Sequence, residues 1–280
     1  VREELENVAF FFKLKPLYSG MEQLTETKSY GHHVHWSAGS VLETMLLYLE
    51  MRNELWRIAA FSANSPNLNA PSPIMNDRLG NTYVHKLVPS ICPISQESID
   101  RIHEFGFGEK EEPLLISQEH GTLEVRASDL DPRSSATVAY IVLMLRRIQN
   151  KLKHNPNVTI YDDSLIEENM NAAKRYAVSN QGYVTALIDG EMARVPIQEE
   201  LKRHYEENIE PVLRRMQGTY KRFGVDYVSK FIEDEMCTRI YDGNTPAQRQ
   251  IDVFNRALKK SNHKDALIAA QKINFLNGWH

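Results

Sequence analysis

Two short alternating stretches, each followed by a long helical pattern, constrain this chain more than any other feature. The first, Gly31-His32-His33-Val34-His35-Trp36-Ser37, has a period of two that puts His33, His35 and Ser37 on one face of a strand. Over residues 40–60 the period changes. Val41, Met45, Leu46, Leu49, Leu55, Trp56 and Ile58 recur at helical spacing, and Ser40 with Glu43 forms a capping box, which predicts an amphipathic helix. The second stretch, GTLEVRASDLDP, alternates Leu123, Val125 and Ala127 against Thr122, Glu124, Arg126 and Ser128. It leads to a strongly apolar pattern over 134–152, VAYIVLMLRRIQNKL, whose basic end suits a helix C-terminus and which is expected to be the core helix.

Beyond Asn155 the pattern is mainly helical, over 164–179, 197–217, 225–237 and 245–257 and again from about His263. One hairpin, GYVTALIDGEMARVP, interrupts it, with Asp189-Gly190 as the turn. The run SANSPNLNAPSPIMNDRLGN is crowded with Pro, Asn and Ser and reads as a long loop, followed by irregular sequence up to the second strand. Few strands and many helices predict an α+β class. The expectation is one catalytic domain over 1–280, with the site core at about 30–152 and a mainly helical C-terminal region over 153–280. The chain opens in mid-pattern at Val1, so its N-terminal part is expected to be missing.

Charge narrows the functional classes. Lys and Arg number 33 against 37 Asp and Glu, so no basic surplus supports nucleic-acid binding by counterion release. No apolar run approaches the roughly 18–20 residues that span a bilayer, and the first residues lack a secretory pattern. Cys92 and Cys237 form neither a CxxC motif nor a disulfide framework. They are expected to be buried packing residues in a cytoplasmic protein.

Four constellations could carry chemistry. In GHHVHWS, imidazoles two apart on a strand can share a cavity, one on a divalent metal and one donating to phosphate. A polar strand face with hydrogen-bonded histidines shows the same spacing, and so does a cupin, although a cupin would continue with β pattern where a helix follows here. In LEVR, Glu124 supplies the oxygen ligand a hard cation prefers, and Arg126 a planar fork for a phosphoryl group. An exposed ion pair is the plainer reading of the same residues. The loop offers Asn64 and Arg78 as substrate or nucleotide contacts, or as solvated side chains. Glu168-Asn169 through Lys174-Arg175-Tyr176 puts a basic patch near a helix end, where it usually offsets the dipole.

The order of these motifs resembles the carboxylate–amine ligases of the glutamate–cysteine ligase family, within the glutamine-synthetase-like superfamily. In that family a G-x-HVH strand precedes a helix ending in an LSANSP-like loop, an E-x-R strand follows, and an EN…AxRxG segment opens the helical C-terminal region. Here these are GHHVHWS, SANSP, EVR and EN…AAKRYAV, and TPAQRQIDVFNRA resembles the family's ending. The likeness runs from about Tyr30 to the end.

It implies a curved, mostly antiparallel sheet forming a catalytic funnel, with helices packed outside. It also implies ATP with Mg²⁺ or Mn²⁺, small-molecule carboxylate and amine substrates, and amide formation through an acyl-phosphate. A homo-oligomer is compatible with it. Carried over by position, His33 and Glu124 become metal ligands, His35, Asn64 and Arg78 contact the nucleotide or substrate, and Arg126 stabilises the transferring phosphoryl group. Two features depart from the family. No strand bearing an E-x-E pair is expected to precede His33, which would leave the two metal sites that the resemblance implies short of oxygen ligands, and the family's Trp-Arg-Ala is Asn-Ala-Ala at 171–173. An amide ligase for another amine, such as a polyamine, and a non-catalytic nucleotide- or metal-binding scaffold are the alternatives.

Overall fold

A computed structural model describes residues 31–63, 90–108, 112–129, 134–224 and 226–276. Three strands form one antiparallel sheet in the order β1-β3-β2: β1 (Gly31–Trp36), β2 (Leu114–Ile116) and β3 (Leu123–Asp129). A separate hairpin pairs β4 (Tyr183–Ile188) with β5 (Glu191–Pro196). The helices are α1 (Val41–Phe61), α2 (Gln96–Phe105), α3 (Ser134–His154), α4 (Asp163–Tyr176), α5 (Ile197–His204), α6 (Glu210–Arg222), α7 (Asp226–Ile240), α8 (Pro246–Leu258) and α9 (His263–Leu276). The class is α+β.

The local rules hold where they are strongest. Ser40 caps α1, its side chain accepting from Glu43 N while the Glu43 carboxylate accepts from Ser40 N, which satisfies two orphan donors reciprocally. Thr245 caps α8, with Pro246 in its first turn. Asp189 and Gly190 take φ of 50° and 87°, the left-handed pair that a two-residue hairpin turn demands.

Several expectations need correction. Helix α1 is not amphipathic. From Leu47 to Phe61 every residue except Glu54 is buried, so α1 shares the central position expected of α3 alone. It carries charge inside because the charges are paired. Arg52 meets Asp163, and Glu50 accepts from Lys151 Nζ at 2.9 Å and Thr159 N at 3.2 Å. Asn53 Nδ2 donates to Thr159 O at 2.7 Å.

The stretch read as irregular contains α2 and β2. Ser95 and Ser98 cap each other at the start of α2, and Gly106 ends it at φ 70°. A Cβ there would stand 2.6 Å from Ile116 O, where the chain closes onto β2 through Phe107 N→Ile116 O at 2.9 Å. The helix expected over 197–217 is broken by a π-helical segment, Tyr205–Ile209, just before Pro211. Proline has no N–H to donate and its ring crowds the carbonyl four residues back, which a widened turn relieves.

Cys92 is exposed and Cys237 half-buried, so neither is a core residue. Cys92 lies in the coil before α2, and the Cys237 sulfur stands 3.6 Å from the Tyr205 hydroxyl, whose polar contact holds it at the edge of the packing.

One large core joins α1, the inner face of the three-stranded sheet, and helices α3 to α7. A small second cluster of Phe254, Ala266 and Ala270 joins α8 to α9. Among the described residues no helix is long and apolar enough to cross a membrane.

Candidate functional site

The β1–β3 pairing determines which side chains can meet. His35 lies directly opposite Glu124, and Val34 opposite Val125. Opposed residues of an antiparallel pair share a face, so the apolar pair turns to the core and the polar pair away from it. Between His32↔Ser128 and Val34↔Val125 the register slips, leaving Arg126 and Ala127 opposite the single residue His33. This is a β-bulge, which re-aims side chains and changes the local twist. Ser128 lies beyond it and is buried, so the alternation read from the sequence holds only as far as Arg126. Ser37 follows the end of β1 and is exposed.

Three of the predicted residues therefore converge on one oxygen of a fourth. Glu124 Oε1 stands 2.9 Å from His33 Nδ1, 3.9 Å from His35 Nε2 and 3.1 Å from Arg126 Nε. The arginine contact is an ion pair without the alignment of a hydrogen bond. The His33 and His35 side chains are 45% and 38% exposed, whereas Glu124 and Arg126 are 11% and 16% exposed. The expected ion pair is thus real, but it is largely withdrawn from solvent and has accessible imidazoles beside it. Trp36 Nε1 donates to Gln149 Oε1 at 3.3 Å and Gln149 Nε2 to Ala38 O at 3.1 Å, tying the end of β1 to α3. Arg126 N donates to Pro113 O at 2.8 Å, holding the bulge from the β2 side.

The spacing of the donors tests whether a cation suits them. Two ligands at right angles on an ion with bonds of about 2.1 Å stand about 3.0 Å apart. The His33–Glu124 separation of 2.9 Å is compatible with that and equally with a direct imidazole–carboxylate contact. The set is small, since among the described residues no group of three or more His, Cys, Asp or Glu side chains could hold a metal ion. The pair supplies at most two ligands, so a divalent cation held here would need water or phosphate oxygens for its remaining positions.

Two neighbours escaped the sequence reading. Thr122 Oγ1 stands 3.0 Å from His35 Nδ1, and the His120 ring meets the His35 ring edge-on, with centroids 5.2 Å apart. Both stand just before LEVR, in His120-Gly121-Thr122, and their nearness to His35 depends on the register. Asn64 and Arg78 lie outside the described residues. So do Glu4 and Glu6, which have the E-x-E spacing that was not expected before His33.

Asn169 of the EN segment is structural. Its Nδ2 donates to Thr185 O and its Oδ1 accepts from Thr185 N, both at 2.8 Å, clipping β4 to α4. A cavity of about 320 Å³ opens between Ser37, Ser40 and Thr44 around the start of α1, His103 on α2, and Ser117, Gln118 and Gly121. None of the four converging residues lines it.

Elsewhere the chain buries another ionic cluster. Arg57 and Arg203 both contact Glu200, and His204 Nδ1 stands 3.3 Å from the Tyr140 hydroxyl. Burial, helped by Arg57, Arg147 and Arg203, holds the His204 imidazole well below its usual pKa. Compared with known proteins, the chain matches no family model, and no curated protein sequence matches it.

Proposed function

We propose that this chain is an ATP-dependent carboxylate–amine ligase that forms an amide, of γ-glutamyl type, through an acyl-phosphate. The convergence of His33, His35 and Arg126 on one oxygen of Glu124 carries this reading. These are the residues that the motif order marks.

Arg126 would fork onto the phosphoryl oxygens as their charge is redistributed, and His35 would donate from Nε2 to a phosphate oxygen. His33 and Glu124 would hold the divalent cation, which when bound supplies charge neutralisation beside the phosphates. Such a site needs no covalent nucleophile, since phosphoryl transfer is promoted mainly by positioning and charge. The reading carries with it a small carboxylate and a small amine as substrates, a cytoplasmic setting, and a sheet that continues as one wall of a funnel.

One observation favours a second reading. The described residues bring a single carboxylate to His33 and His35, fewer oxygens than a two-metal ligase uses. A non-catalytic nucleotide- or metal-binding scaffold would manage with this set. The experiment is ADP release by the protein with Mg²⁺, ATP, glutamate and a panel of amines that includes cysteine, other amino acids and polyamines. Amine-dependent ADP release supports the ligase. ATP binding without release supports the scaffold, and the loss of both behaviours overturns the site.

A further inference from the structure

We propose that Thr122 and His120 are positioning residues for His35, holding its ring in the Nε2–H tautomer with Nε2 facing the Glu124 carboxylate. The inference deepens the proposed site and rests on that reading only for the use made of the Nε2–H group.

A carboxylate accepts and cannot donate, so an imidazole nitrogen turned toward it is favoured as the N–H. His35 presents Nε2 to Glu124 Oε1 at 3.9 Å, too long for a hydrogen bond but close enough for the carboxylate to bias the proton toward that nitrogen. The other nitrogen, Nδ1, stands 3.0 Å from Thr122 Oγ1. A hydroxyl can donate or accept, and with the proton on Nε2 it donates to Nδ1, completing the same tautomer from the opposite side. The partner of one ring nitrogen thereby decides what the other offers to a ligand.

His120 acts by packing. Its ring meets that of His35 at an interplanar angle of 81°, the edge-to-face arrangement favoured by aromatic quadrupoles. The His35 side chain is 38% exposed, so without such a neighbour the imidazole could turn freely about its χ2 bond. Thr122 and His120 come from the turn between β2 and β3, and His35 from β1, so the arrangement couples the hairpin to the central strand pair. An Nε2–H held in place suits an anionic oxygen ligand such as a phosphate, which needs a donor and gains from one that is already oriented.

The test is a long-range ¹H–¹⁵N correlation spectrum of the full chain labelled with ¹⁵N-histidine, at an alkaline pH where imidazoles are neutral, with His35→Gln used to assign the signals. The expected result is a protonated Nε2 and an unprotonated, hydrogen-bonded Nδ1 for His35. Thr122→Val should draw the two nitrogen shifts toward their average, and Thr122→Ser should restore them. His120→Ala should also narrow the shift difference, though by less than Thr122→Val does, and a His120→Ala spectrum identical to wild type overturns the part given to His120.

A protonated Nδ1 in the wild type, or a Thr122→Val spectrum identical to wild type, overturns the proposal. Because these spectra need neither ATP nor turnover, failure of the ligase assay and failure of this inference are separately visible.

Discussion

Glu124 and Glu235 each gather basic side chains around one oxygen, but they differ in how far those side chains are shut away from solvent. Glu235 Oε1 accepts from Arg239 Nε at 2.8 Å and Arg249 Nη2 at 2.5 Å, with the Glu235 and Arg239 side chains 1% and 0% exposed. Its partners are already committed. Arg239 Nη1 donates to Thr137 Oγ1 at 2.8 Å, its guanidinium lies over the Phe61 ring, and Arg249 Nη1 donates to Asn244 O at 3.0 Å. Around Glu124 the imidazoles remain partly open to solvent and can exchange a partner for a ligand. Residue chemistry does not separate a structural ion cluster from a candidate site here. Access, and how far the donors are already used, does.

Breaking the sealed cluster should have the largest effect. Arg239→Ala leaves a buried carboxylate short of a partner and removes a link between α7, α3 and the end of α1, and it should cost about 3–5 kcal/mol by urea unfolding. A loss below about 1 kcal/mol would mean that water reaches Glu235, and the contrast with Glu124 would collapse.

At the open cluster the loss should fall on function. Arg126→Lys keeps the charge but not the planar fork, so kcat for amine-dependent ADP release should drop about 10²-fold or more while ATP Kd changes little. A thermal melt alongside should stay close to wild type. Wild-type kcat in this variant would take Arg126 out of the reaction.

The imidazoles sharpen the comparison through pH. His204 is buried beside Arg57, Arg147 and Arg203 and near the Tyr140 hydroxyl, and its folded pKa lies well below the unfolded value. The unfolded chain therefore binds the extra proton first. The stabilisation is complete above about pH 6.5 and falls as pH drops below that value, by up to about 1.4 kcal/mol per unit until the folded group titrates. Urea midpoints from pH 7.5 to 5 should show this slope, and His204→Gln should flatten it. An unchanged slope in the variant would assign the acid sensitivity to other groups.

The smallest effect on stability belongs to His33→Ala, within about 0.5 kcal/mol, because the side chain is largely exposed. Its consequence should appear in calorimetry instead. ATP affinity measured with Mn²⁺ should be weakened in the variant, and excess chelator should weaken the wild type in the same way. If neither change is seen, His33 is an ordinary polar strand residue.

Much of the local structure was legible because local rules govern it. The Ser40–Glu43 capping box, the Asp189-Gly190 turn and the Thr245-Pro246 start of α8 each depend on a few adjacent residues, and each forms where the pattern places it. Helix α2 carries clear local signals, with Ser95 and Ser98 as caps and Ile99 and Ile102 as an apolar edge, but at ten residues it lies at the lower length limit at which an apolar pattern is read as a helix. Strand β2 is three residues long and wholly buried, too short to show alternation.

By itself, the sequence determined the α+β class, the two strand faces that carry His33, His35, Glu124 and Arg126, and the residue types able to engage a cation or a phosphate. Only the tertiary structure decided that these faces are one face. That depends on the β1–β3 register and its bulge, and register is a long-range choice set by packing Leu123 and Val125 against α1 and Val34 into the same core. It also decided that Thr122 and His120 attend His35, and that Asn169 clips a strand. It showed Glu50, Arg52, Asn53 and Arg57 of α1 to be interior as well. Burial and partnership depend on chain segments far apart in sequence, and no local pattern encodes them.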